Sequence, residues 1–97
     1  MDHEHERELG VAMALLERFS ESRFPRILKM LDEVKAGALL NDEELEYLEE
    51  VLMTCRQVSG QVEHLPDYAD VYTRAIEVYH EVTTLALENE KKARNIS

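Results

Sequence analysis

The sequence predicts an all-α protein, an antiparallel four-helix bundle with a long C-terminal helix. Three observations carry this. The last thirty-one residues run without Gly or Pro from Asp67 to the end, with apolar residues at threes and fours. An Asn41–Glu44 pair has the spacing of a helix start. No stretch alternates apolar and polar residues as a half-buried strand would. With 97 residues, the chain is expected to form one domain over 1–97, residues 1–7 being flexible or a fraying first turn.

Helix A is expected over about 6–20. Leu9, Ala12, Met13, Leu16 and Phe19 form its stripe, and Val11 and Leu15 widen it. Pro25 should break the chain, because its ring clashes with the carbonyl four residues back and drives Phe24 out of the α region. Helix B then starts at Pro25, where proline suits a first turn, and carries Ile27, Leu28, Met30, Leu31 and Val34. Gly37 ends it as a residue with positive φ would.

Asn41 caps helix C. Its side-chain oxygen can accept from the Glu44 amide, and Glu44 stands at the reciprocal position. Leu45, Leu48, Leu52, Cys55, Ser59 and Val62 follow as a core seam. Gly60 either ends the helix or is crossed, and Pro66 ends it at the latest. Helix D opens at Pro66. Tyr68, Val71, Tyr72, Ala75, Ile76, Tyr79, Val82, Leu85 and Ala86 share one stripe. Asp70, Arg74, Glu77, Glu81, Glu88 and Lys91 share the other face. About 28 residues at 1.5 Å rise span about 42 Å. A compact globule of this length has a radius of gyration of about 12–13 Å and is about 32 Å across. Either the basic end at Lys91, Lys92 and Arg94 frays, or the stripe continues against a second copy.

A net charge of −10 and a pI near 4.8 argue against binding nucleic acid or anionic membrane, both of which call for cations. No apolar run reaches the length of a membrane span, and the acidic start is unlike a signal peptide. The single cysteine excludes an internal disulfide. A cytoplasmic setting is expected, with no cofactor. No phosphate loop, C-x-x-C or nucleophile elbow occurs, so no enzyme class is indicated.

Several fragments occur together: Leu16-Glu17-Arg18-Phe19, Arg23-Phe24-Pro25-Arg26, Asn41-Asp42 with Tyr47-Leu48-Glu49, Leu65-Pro66-Asp67-Tyr68, and Ala86-Leu87-Glu88-Asn89-Glu90. Their order and spacing over about 15–92 resemble a group of short, uncharacterised helical proteobacterial proteins. The resemblance implies the helical architecture and no activity.

Four sets of residues could carry function. Arg18, Arg23, Arg26 and Lys29 place four of the eleven cations around the A–B turn. With free amides at a helix start they would hold a phosphate or carboxylate; the competing reading pairs them with internal carboxylates. Glu77 and His80 form an E-x-x-H, half of the ligand set of a ferritin-like metal site, which a dimer would have to complete. The competing reading is a solvent-facing pair. His3 and His5 with Glu4 and Glu6 form a further, weaker chelating pattern. Tyr68, Tyr72 and Tyr79 combine apolar area with a polar tip, which suits either a core margin or an interface. Cys55 fits a buried thiol, and His64 a helix-end residue. The reading that these features favour is a non-catalytic cytoplasmic interaction or regulatory module acting as a homo-oligomer. The alternatives are an oligomeric metal-binding bundle and an anion sensor. The partners expected are a second copy or another protein.

Overall fold

The computed structural model describes the backbone of residues 2–96 and the side chains of 6–95. Among the described residues the chain is helical with no strand. Its elements are α1 (Asp2–Arg18), a π-helical turn (Phe19–Arg23), α2 (Phe24–Lys35), α3 (Asp42–Val58), a 3₁₀ turn (Val62–His64) and α4 (Pro66–Ile96).

The expected break at Pro25 is absent, and this is the main correction to the four-helix expectation. Arg18, Arg23 and Phe24 all keep right-handed helical dihedrals, so α1, the π turn and α2 form one rod. The molecule therefore has three helical rods. Buried residues lie along the rod on both sides of the π turn: Ala12 and Leu16 before it, Phe19 at its first position, and Ile27, Met30, Leu31 and Val34 after it. Leu16 to Val34 and Ala12 to Met30 are each eighteen residues, five turns of an α-helix. The Phe24 amide donates to the carbonyl of Phe19, five residues back, and Pro25 is accommodated just past the widened turn.

The other expected signals stand. Gly37 has φ +96°. Glu44 N donates to Asn41 Oδ1 at 2.8 Å, and Asn41 N to Glu44 Oε1 at 3.1 Å. Helix α3 stops at Val58, ahead of Gly60. Helix α1 already starts at Asp2, rather than near Glu6.

Two clusters fill the interior. Ala12 and Leu16 of α1 meet Val58 of α3, with Leu65 and Tyr68 against them. Phe19, Ile27, Met30 and Val34 meet Leu48, Val51 and Cys55 of α3 and Ala75, Val78 and Val82 of α4. Val58 at the end of α3 thus packs on α1, and Asn89 late in α4 donates to the carbonyls of Val34 and Ala38 at the end of α2. The result is elongated, 59 × 19 × 18 Å with a radius of gyration of 15.8 Å. The long C-terminal helix is accommodated because the whole molecule is a rod. Its length alone therefore gives no reason for a second copy.

Candidate functional site

The feature with most functional content is the outer side of α3 and α4, away from the α1–α2 rod. Each helix buries one side of its apolar stripe and leaves the adjoining side open. On α3, Val51 and Val58 are fully packed, while Leu45, one turn along from the buried Leu48, is 46% exposed. On α4, Ala75, Val78 and Val82 are buried, while Leu87 is 53% exposed. Of the sequence-derived seam, Leu48 and Cys55 are buried, Leu52 and Val62 are half-buried, and Leu45 and Ser59 are exposed on the outer edge of α3. Its inner edge, Val51 and Val58, and Val78 on α4 lay outside the expected stripes.

Two clefts run along this side. One of ≈ 390 Å³ lies between Leu39, Leu40, Leu45 and Leu48 and Thr83, Ala86, Leu87 and Glu90. The other, ≈ 130 Å³, is lined by Leu52, Cys55, Arg56 and Ser59 opposite Tyr72, Ile76, Tyr79 and His80. Together they trace an apolar groove along the α3–α4 junction. The Thr83 hydroxyl donates to the carbonyls of Tyr79 and His80 at 3.0 and 3.1 Å, which keeps its polarity within its own helix. Burial pushes the Cys55 thiol above its usual pKa. Burial, then the neighbouring Cys55, does the same to Tyr72.

The predicted tyrosines divide. Tyr68 packs into the α1 cluster, and Tyr72 and Tyr79 line the groove while half-buried against the core. Leu39 and Leu87 were not singled out in the sequence. Between Tyr68 and Leu87 the charges of α4 are four and three apart on one narrow stripe, the signal that would have exposed Leu87.

The four cations lie along one continuous helical rod. Because the helix is continuous through Pro25, no fan of free amides exists there. Arg23 Nη1 donates to Thr54 Oγ1 at 3.1 Å, and the Arg26 guanidinium lies 4.0 Å above the Tyr47 ring. Both therefore reach α3, while Arg18 and Lys29 are exposed on the rod. Glu77 and His80 are also exposed, and His80 meets the edge of Tyr79 at 5.9 Å. Among the described residues no three metal-ligating side chains converge. The side chains of His3, Glu4 and His5 lie outside the described residues. His64 ends the 3₁₀ turn and pairs with Glu63 at 3.4 Å. Among the described residues, no helix is long and apolar enough to cross a membrane.

The fold and groove define an elongated helical protein that leaves apolar side chains open along α3 and α4, with Val11 and Met13 of α1 and Met53 of α3 open as well. No known family, curated protein or solved structure matches the chain.

Proposed function

We propose that the chain is a non-catalytic helical interaction module that acts in the cytoplasm as a homo-oligomer. The α3–α4 groove takes a helix from another copy, which completes a four-helix arrangement around it. One observation carries this reading. In a chain with 33% charged residues, the α3–α4 side leaves Leu39, Leu45 and Leu87 about half exposed in a continuous cleft. Apolar surface of that kind is stabilised when a partner removes it from water. The kinship with short helical proteobacterial proteins, resting on the five sequence fragments, belongs to the same proposal.

Sedimentation equilibrium tests it. The wild-type chain is expected to associate in the micromolar range. Leu87→Glu, at an exposed position, should give a monomer with an unchanged melting profile. A wild-type chain that stays monomeric at high micromolar concentration would refute the reading.

A further inference from the structure

We propose that the helix seated in the groove is α4 of a second copy, running antiparallel about a twofold axis level with Val78. This rests on the self-association proposed above and specifies its geometry.

Between Tyr68 and Leu87 the only Asp, Glu, Lys or Arg residues are Asp70, Arg74, Glu77 and Glu81. Their spacing of four, three and four places them on one stripe, about 60° wide at about 100° per residue. A helix charged over so little of its circumference is built to be covered on most sides. The rod and α3 cover the side of Ala75, Val78 and Val82. What remains is the seam Ala69, Thr73, Ile76, His80, Thr83 and Leu87, none of them fully buried. Its spacing of four and three, repeated, is that of a two-stranded helical contact.

This seam matches itself when reversed. About Val78, Ala69 falls opposite Leu87 of the partner subunit, Thr73 opposite Thr83 of the partner subunit, and Ile76 opposite His80 of the partner subunit. The smallest residue meets the largest aliphatic one, and the twofold makes every contact twice. Charge chooses the direction. The start of α4 and the turn before it carry Glu63, Asp67 and Asp70, while its last turns carry Lys91, Lys92 and Arg94 alongside Glu88 and Glu90, the last of which pairs with Arg94. Reversed about Val78, Lys91 and Lys92 lie level with residues 64 and 65 of the copy, within a turn of its Glu63 and Asp67. A parallel pair would set acid against acid and Lys against Lys.

Single cysteines in a Cys55→Ala background test the register. Mixed Thr73→Cys and Thr83→Cys chains should form disulfide-linked dimers on mild oxidation, many-fold more than either chain alone. As a test that leaves Cys55 in place, Lys91→Glu/Lys92→Glu should weaken association several-fold at low salt. Mixing it with Glu63→Lys/Asp67→Lys should restore association in mixed dimers. Self-linking of Thr73→Cys would overturn the antiparallel arrangement in favour of a parallel one. A dimer in which neither the cross-link nor the rescue appears would overturn the geometry while leaving self-association standing. A monomer by sedimentation would sink both.

Discussion

The Asn89 side-chain amide bridges the end of α2, donating to the carbonyl of Val34 at 2.8 Å and to that of Ala38 at 3.0 Å. It ties the late part of α4 to a helix terminus whose last carbonyls lack partners within the helix. Val34 O also accepts from Gly37 N at 3.1 Å, so losing Asn89 does not orphan it. We expect Asn89→Ala to cost about 1–2 kcal/mol in urea unfolding, the range for one or two part-buried hydrogen bonds. Asn89→Asp should cost more, because a carboxylate would face carbonyl oxygens. Equal stability of all three would mean that the bridge contributes nothing.

The π turn makes a second expectation. A π turn holds about one residue more than an α turn, so deleting one residue, the exposed Glu21, should remove it. The chain should stay folded with near-normal helicity, its turn now α-helical. Deleting the exposed Lys29 should instead rotate Met30, Leu31 and Val34 about 100° out of register and unfold the protein. Pro25→Ala leaves the core residues on both sides in place and should keep the π turn. Circular dichroism melts of the three variants, with amide shifts for the turn, decide the matter.

The same turn shows where sequence reading reached its limit. The cap at Asn41, the turn at Gly37 and the start of α4 were legible because each depends on a few adjacent residues. The fate of Pro25 was not, because proline's local preference for a break competes with continuity of the apolar stripe on both sides. Here the helix continues through Pro25, with Phe19 and Ile27 in one core cluster on either side of it. The groove was half legible. Leu45, Leu52, Tyr72 and Tyr79 were identified as apolar seam residues, but periodicity alone does not say which edge of a wide stripe faces the core. Val51, Val58 and Val78 settle that only once three rods rather than four are in place.

Arg26 over Tyr47 provides a third test. Burial pushes the Tyr47 hydroxyl above its usual pKa, and Arg26, then Arg23, pull it back by favouring the phenolate, with Glu50 adding a small rise. Arg26→Gln should therefore raise the Tyr47 pKa further, as followed by phenolate absorbance with Tyr47→Phe as the reference. Arg26 is exposed, so the cation–π coupling from a double-mutant cycle should be at most about 0.5–1 kcal/mol. An unchanged titration would show that the guanidinium does not rest on the ring in solution.

Cys55 gives the pH dependence its sign. Burial raises the thiol's pKa in the folded chain, so the native state holds this proton more tightly than the unfolded state. Its stabilising contribution is complete below about pH 8.5, the ordinary thiol value, and is lost as pH climbs toward the folded value. Tyr47 and Tyr72, also raised chiefly by burial, extend the loss at still higher pH. The urea midpoint should therefore fall between about pH 8 and 10 in the wild-type chain. Cys55→Ala should remove the earliest part of that fall and leave the later, tyrosine-dependent part. Alkylation of the thiol at neutral pH should be slow until denaturant opens the α3–α4 contact. A midpoint that rises with pH over this range, or rapid alkylation of the folded chain, would contradict a thiol buried beneath the groove.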